Sequence, residues 1–223
     1  MKDVKSKARG ILLDLDGTIV DSREAYLEAM KTAFAAIGQR MVDIRTVTKI
    51  PKRLEQNLPI DDLLTGIDVR KFLKTYLHTY YQATATKSKL IQNVPETLMK
   101  LSQKADLALT TMRHVPKQRI IEELEKLGIA QYFRIVVTAF DTCNSKPSPE
   151  ALFKCAEQLG IGISRCVVVG DSVADVRAGK NASAKTVAVL TGIFSREELE
   201  REGPDLILES VNSLPDFLES LLK

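Results

Sequence analysis

Short apolar runs recur along the chain, and each is followed by polar residues and then by a segment with helical periodicity. The six runs are GILLDL, ADLALTT, FRIVVTA, RCVVVGD, KTVAVLTG and DLIL. Runs of this length, rich in aliphatic and β-branched residues, are typical of strands buried in a parallel sheet. The pattern therefore predicts an alternating β/α fold with about six parallel strands.

Two of the intervening segments show clear amphipathic helices. PKQRIIEELEKLG places its apolar residues on one stripe and is predicted to end at Gly128. SPEALFKCAEQLG repeats the pattern, with Ser148 as the predicted N-cap and Gly160 as the predicted end.

The β/α rhythm is interrupted between residues 22 and 92. Apolar residues there follow helical spacing, including the stripe Val69, Phe72, Leu73, Tyr76, Leu77 and Tyr80. A crossover between two parallel strands needs only about a dozen residues. We therefore expect 22–92 to form an inserted helical subdomain, with 1–21 and 93–223 forming the sheet domain. The alternative is that the extra helices pack on the same core.

Composition and charge narrow the function classes. The chain has 223 residues with 32 basic and 29 acidic side chains, a balance that gives no support for nucleic-acid binding. It has no apolar run of the roughly 20 residues that a membrane span requires. The first ten residues, MKDVKSKARG, lack the apolar segment of a secretory signal, so we expect a cytoplasmic protein. Cys143, Cys155 and Cys166 are expected to be reduced, buried thiols. A monomer and a homodimer both remain open.

Polar side chains follow the predicted strands, where functional groups of a parallel sheet gather. They are Asp14 and Asp16, Thr110 and Thr111, Lys146, and Asp171 and Asp175. Carboxylates are ligands for Mg²⁺, and a hydroxyl and an ammonium bind phosphoryl oxygens. One carboxylate can attack phosphorus while another transfers protons. The set predicts a site for a metal ion and a phosphate.

The motifs resemble those of the haloacid dehalogenase superfamily. DLDGTIVDS is similar to its first signature, and Thr111, Lys146 in SKPSPE, and VVVGDSVAD follow in the expected order. The spacing and the later KTVAVLTG resemble the phosphoglycolate phosphatase-like branch in particular. The resemblance implies an α/β fold: a Rossmann-like parallel sheet with helices on both faces, and 22–92 as an all-helical cap.

The resemblance also implies a role for each site residue. Asp14 would be the nucleophile and Asp16 the general acid/base, which also offers its backbone carbonyl to Mg²⁺. Asp171 and Asp175 would complete the metal site. Thr111, Met112 and Lys146 would bind the phosphoryl group, with Thr110 as an alternative to Thr111.

The function implied is a Mg²⁺-dependent phosphatase acting on a small phosphorylated metabolite, with phosphoglycolate as the first candidate. Asp16 favours phosphate transfer over carbon–halogen cleavage, because only the former needs a proton for its leaving group. Alternatives are a phosphosugar mutase of the same superfamily, a pyrophosphatase, and a non-catalytic phospho-receiver module.

Several residues depart from the pattern or remain ambiguous. Lys49, Lys52 and Arg53 form a basic group in the insert, which could bind a second anionic group of the substrate or be a solvated helix face. Arg113 follows the second strand, at the crevice rim or behind it. Ser183 stands where a glycine is common, so a local change of backbone is expected there.

Overall fold

All six predicted strands are present in the computed structural model, which describes residues 9–39 and 44–221, with only the backbone for 44–47. The strands are β1 (Gly10–Asp14), β2 (Val20–Asp21), β3 (Lys89–Leu90), β4 (Asp106–Thr111), β5 (Phe133–Thr138), β6 (Cys166–Gly170), β7 (Lys185–Val189) and β8 (Leu206–Leu208). The helices are α1 (Arg23–Ala36), α2 (Ile44–Glu55), α3 (Val69–Lys87), α4 (Val94–Lys104), α5 (Lys117–Lys126), α6 (Glu150–Leu159), α7 (Val173–Asn181), α8 (Arg196–Glu202) and α9 (Leu214–Leu221).

The main sheet has the order β5-β4-β1-β6-β7-β8, and its pairs are parallel. The register pairs Asp14 with Thr110 and Leu13 with Val169. The predicted α/β fold with a parallel sheet is thus confirmed. β2 and β3, which the sequence pattern does not predict, pair with each other in a separate two-stranded sheet.

Both faces of β1, an inner strand of the main sheet, are buried. On one face, Leu12 packs in a cluster with Leu152 of α6 and Ala178 of α7. Ile11 and Leu13 alternate with Leu12 along β1, so they point to the opposite face, and they are equally inaccessible to solvent. A strand buried on both sides explains the continuous apolar run in its sequence.

The helix ends agree with the sequence in part. α5 ends at Lys126, two residues before the predicted end at Gly128, and Gly128 has a φ of 71°. Gly160 has a φ of 70° at the end of α6, as predicted. Ser148 does not occupy the N-cap of α6, since Pro149 does; the Ser148 hydroxyl nevertheless accepts the Glu150 N–H at 3.3 Å.

The chain divides into two compact units, one of residues 1–19 and 90–223 and the other of Val20–Lys89. The predicted ranges, 22–92 for the insert and 1–21 with 93–223 for the sheet domain, differ by two or three residues at each junction. Of those ranges, 1–8, 40–43 and 222–223 lie outside the described residues.

The Val20–Lys89 unit has its own aromatic core. Phe34 and Phe72 meet edge to face with ring centroids 5.1 Å apart, and Tyr26 stacks on Tyr80 at 4.6 Å. Leu77, placed on the α3 stripe by its spacing, is instead exposed.

Cys155 and Cys166 are buried free thiols, whereas Cys143 is exposed, contrary to expectation. Within 9–39 and 44–221, the helices are all too short or too polar to cross a lipid bilayer.

Candidate active site

The candidate site lies at the carboxyl ends of β1, β4 and β6. β1 lies between β4 and β6. After β1 the chain adds β4 and β5 on one side of it, and it then returns to add β6, β7 and β8 on the other side. Asp14 is the last residue of β1, Thr111 is the last of β4, and Asp171 directly follows β6. Such a reversal of strand order is where open α/β sheets bind ligands.

Lys146 joins two of the carboxylates. Its Nζ atom donates to Asp14 Oδ1 at 2.6 Å and to Asp175 Oδ1 at 2.7 Å. Lys146 and Asp175 are each only 3% exposed and Asp14 is 7% exposed. The carboxylates are therefore paired in a site largely withdrawn from water, where a charge interaction is stronger than at a surface.

The pKa values of Asp14 and Lys146 are both raised, although burial acts on an acid and on a base in opposite directions. Burial raises the pKa of Asp14, the contact with Lys146 opposes the shift, and the nearby Asp175 and Asp16 add to it. Burial alone would lower the pKa of Lys146, but Asp14 and Asp175 outweigh it and raise this pKa, so the ammonium stays charged.

The local sequence GDSVAD fixes Asp175. Ser172 is the N-cap of α7 and its Oγ accepts the Asp175 N–H at 3.1 Å, while Asp175 Oδ2 accepts the Ser172 N–H at 3.2 Å. This reciprocal capping box leaves Asp175 Oδ1 directed at Lys146. Asp171, in the loop before α7, accepts a hydrogen bond from the Thr18 hydroxyl at 3.3 Å.

Two glycines provide the space that Asp171 occupies. A Cβ atom added at Gly17 or at Gly192 would overlap with the Asp171 carboxylate. Gly17 also has a φ of 78°, which a side chain disfavours. The Thr191 hydroxyl donates to the Gly17 carbonyl at 2.5 Å and so holds the two loops together.

Three carboxylates meet the requirements of a metal site. One oxygen each from Asp14, Asp171 and Asp175 lie within 4.8 Å of one another, and all three residues are buried. Hard oxygen donors that share a buried position suit Mg²⁺, so these residues fit the ion that the sequence predicts. Asp16 was also predicted as a metal residue, through its backbone carbonyl, and its carboxylate lies outside this group.

The second predicted motif lies at the end of β4. Thr111 and Thr110 are both buried, and Thr111 Oγ1 accepts the Arg113 N–H at 3.2 Å. A hydroxyl that accepts a backbone N–H can still donate its own hydrogen to a phosphoryl oxygen. Met112 is half-buried beside it, and its phosphate contact stays a prediction.

Asp16 has a different partner from Asp14. Arg113 Nε donates to Asp16 Oδ2 at 2.7 Å and Arg113 Nη2 donates to Asp16 Oδ1 at 2.6 Å. Arg113 Nη1 also donates to Glu123 Oε2 at 2.6 Å. Arg113 is 3% exposed, so it lies behind the crevice and not on its rim. The sequence does not predict a role for Glu123 at the site, because its position is typical of a polar residue on an amphipathic helix.

The three basic residues of the insert differ in exposure and in their contacts. Lys49 is exposed and Lys52 is half-buried. Arg53 pairs with Asp62 and donates to the Pro59 carbonyl at 3.0 Å. Of the three, Arg53 thus has a clear structural role within its own unit.

Comparison with known proteins assigns the family. The profile of haloacid dehalogenase-like hydrolases matches residues 11–189. The chain belongs to this family, and the predicted enzyme class, a phosphoric monoester hydrolase of the superfamily, is confirmed at the level of the family. Membership of a hydrolase family also argues against the phospho-receiver module.

Curated relatives with similar sequences are phosphatases. Phosphoglycolate phosphatase of Escherichia coli strain K12 is 30% identical over 229 residues, covering 92% of this chain and 90% of the relative. N-acetylmuramic acid 6-phosphate phosphatase of Pseudomonas aeruginosa is 29% identical over 226 residues, covering 100% and 99%.

Solved structures share the fold. A haloacid dehalogenase-like hydrolase from Streptococcus pneumoniae has a TM-score of 0.80 at 18% identity, covering 94% of this chain and 98% of that one. A provisionally named beta-phosphoglucomutase from Thermotoga maritima has a TM-score of 0.68 at 22% identity, covering 96% and 100%.

Proposed function

We propose that this protein is a Mg²⁺-dependent phosphatase that hydrolyses a small phosphate monoester through an aspartyl-phosphate on Asp14. The observation that carries the proposal is the buried group at the end of β1, in which Lys146 contacts Asp14 and Asp175 and three carboxylates share one position. Mg²⁺, held by Asp14, Asp171 and Asp175, would supply positive charge that favours ionised carboxylates and offsets the charge of the phosphoryl oxygens.

The chain's own residues would carry out two displacements. An Asp14 oxygen attacks phosphorus, the bond to the ester oxygen breaks, and Asp16 donates a proton to that oxygen. Water then attacks the aspartyl-phosphate, Asp16 takes its proton, and the bond between phosphorus and Asp14 breaks to release inorganic phosphate. Lys146 and Thr111 bind phosphoryl oxygens throughout, with Met112 beside them.

The relatives support a substrate that carries a second acidic group. Two relatives are named for phosphoglycolate and for N-acetylmuramic acid 6-phosphate. Each of these compounds carries its phosphate on a hydroxyl group and has a separate carboxylate. Phosphoglycolate is therefore the first candidate. We further propose that the Val20–Lys89 unit is a cap whose exposed Lys49 contributes to recognising the second anion.

The test is phosphate release with Mg²⁺ from a panel of small phosphate esters, sugar phosphates and pyrophosphate, with Asp14→Asn run in parallel. The proposal expects turnover of at least one monoester that requires both Mg²⁺ and Asp14. Isomerisation of a sugar phosphate dependent on a sugar bisphosphate would favour a mutase, and a preference for pyrophosphate would favour a pyrophosphatase. Turnover that survives Asp14→Asn would contradict the proposal.

A further inference from the structure

We propose that Arg113, held by Glu123, is a positioning residue that fixes where the Asp16 carboxylate lies and thereby sets its efficiency in proton transfer. This inference rests on the proposed function, in which Asp16 is the general acid/base.

The contact between Arg113 and Asp16 is bidentate. Two guanidinium nitrogens donate to the two carboxylate oxygens at 2.7 and 2.6 Å. Two parallel hydrogen bonds fix the plane of a carboxylate as well as its distance, which a single contact cannot do. Asp16 has an exposed side-chain fraction of 13%, so it retains some access to the crevice while the guanidinium behind it has almost none.

Arg113 is itself held at both ends. Its backbone N–H is bound by Thr111 Oγ1, and its remaining terminal nitrogen, Nη1, donates to Glu123 Oε2 at 2.6 Å. Glu123 Oε1 is buried and has no hydrogen-bond partner among the described residues, so Arg113 is the cation that this carboxylate contacts. Glu123 lies on α5, and it therefore ties the orientation of Asp16 to a helix outside the crevice.

A purely structural ion pair is the alternative explanation, and a second arginine–aspartate pair in the chain serves as the control for it. Arg134 donates to Asp106 at 2.9 Å, and Asp106 is as deeply buried as the site carboxylates. Asp106 is the first residue of β4, whereas Thr111, beside the site, is the last. Arg134→Lys therefore disturbs an arginine–aspartate pair away from the chemistry, in which the arginine is 39% exposed and makes one contact.

Esters with different leaving groups can distinguish a role of Arg113 in positioning Asp16 from a role in stabilising the fold. An alkyl ester needs its departing oxygen protonated, whereas p-nitrophenolate departs as a stable anion. The ratio kcat/KM includes transfer of phosphorus to Asp14 and excludes the later attack of water. A displaced Asp16 therefore lowers kcat/KM for alkyl esters and has little effect on p-nitrophenyl phosphate.

The experiment measures kcat/KM of the wild type, Arg113→Lys, Glu123→Gln and Arg134→Lys on p-nitrophenyl phosphate and on the best alkyl ester of the panel. Arg113→Lys should lower the alkyl value about a hundredfold, in the range that general acid catalysis contributes, and the aryl value only a few-fold. Glu123→Gln, a milder change that serves if Arg113→Lys fails to fold, should lower the alkyl value to a smaller extent. Arg134→Lys should alter neither. In an Asp16→Asn background, Arg113→Lys should add no further loss on the alkyl ester.

Equal losses on the two esters, or no loss, in folded Arg113 and Glu123 variants would overturn the inference and leave the proposed function standing. A wild type that releases phosphate from neither ester would instead contradict the proposed function, and the inference with it.

Discussion

At the scale of single residues, the site carries more negative than positive charge. Asp14, Asp171 and Asp175 share a buried position in which Lys146 is the ammonium that contacts two of them. Buried carboxylates are costly unless a cation or a proton offsets their charge. The raised pKa of Asp14 expresses this cost, with burial as its largest cause. A divalent cation would relieve the same excess.

Gly192→Ala tests whether the space around Asp171 matters for metal binding. A Cβ atom at Gly192 would overlap with Asp171 Oδ2, so the carboxylate must move. We expect Mg²⁺ affinity, measured by calorimetry, to fall about tenfold or more, as for other changes that displace a metal ligand. Gly162→Ala is the control, because a Cβ atom there meets nothing within 4 Å. Equal affinities of the two variants would remove Asp171 from the metal site.

The sequence identifies some site residues better than others. Asp14, Lys146 and Asp171 could be predicted because each follows an apolar strand in a recognisable motif. Gly192 could not, because a glycine after a strand is typical of any turn and its role depends on a carboxylate from another loop. The same holds for Glu123, whose contact with Arg113 arises only when α5 packs against β5 in the folded sheet.

At the scale of elements, the end of α7 shows an unusual residue in a regular motif. Ser183 donates its N–H to the Lys180 carbonyl at 2.9 Å and Ala184 donates to the Gly179 carbonyl at 3.0 Å. This is the Schellman arrangement, whose left-handed position glycine usually fills, and Ser183 occupies it with a φ of 58°. The expected departure from a glycine-like backbone is therefore wrong: this serine adopts the left-handed conformation.

Ser183→Gly should stabilise the protein. Relief of the left-handed strain outweighs the added freedom of the unfolded chain, so we expect the free energy of unfolding to rise by about 0.5 kcal/mol. Ser102→Gly, the same change within α4, should lower it by about 0.5 kcal/mol. Urea denaturation of the two variants checks the opposite signs, and a loss of stability in both would show that Ser183 is not strained.

The strands and helices differ in how well they can be predicted from their sequences. The six strands of the main sheet were predictable because each is a short apolar run, and β1, β4, β6 and β7 are buried almost throughout. The two-residue strands β2 and β3 were not, since pairs such as Val20–Asp21 carry no periodicity. The start of α6 was placed one residue early because Ser148 is a typical cap, yet Pro149 holds that position.

At the scale of the whole molecule, the chain has two units with separate cores, and we propose catalysis for one and substrate recognition for the other. The sheet unit contains the group at Asp14, and the Val20–Lys89 unit contains Lys49, Lys52 and Arg53. The loss of the strand rhythm predicts an insert over 22–92, and the second compact unit spans Val20–Lys89. Its junctions were placed two or three residues away, because apolar periodicity does not mark where contacts change from one unit to the other.

Lys49→Ala tests the cap proposal. The variant should raise KM about five-fold for phosphate esters with a carboxylate, which corresponds to about 1 kcal/mol for an accessible ion pair, and should leave p-nitrophenyl phosphate unchanged. Asp62→Asn, which removes the partner of Arg53 within the same unit, is the control and should affect both esters alike. An equal rise in KM for both esters in Lys49→Ala would argue against a role in specificity.

The central claim is that Asp14 is phosphorylated during turnover. Enzyme mixed with the best substrate of the panel is quenched in acid within a few turnovers, reduced with borohydride, which converts an aspartyl-phosphate to homoserine, and mapped by mass spectrometry of its peptides. We predict homoserine at position 14, dependent on substrate and absent from Asp14→Asn. Reduction at another acidic residue, or steady turnover with position 14 unmodified under conditions that trap a known aspartyl-phosphate, would contradict the account.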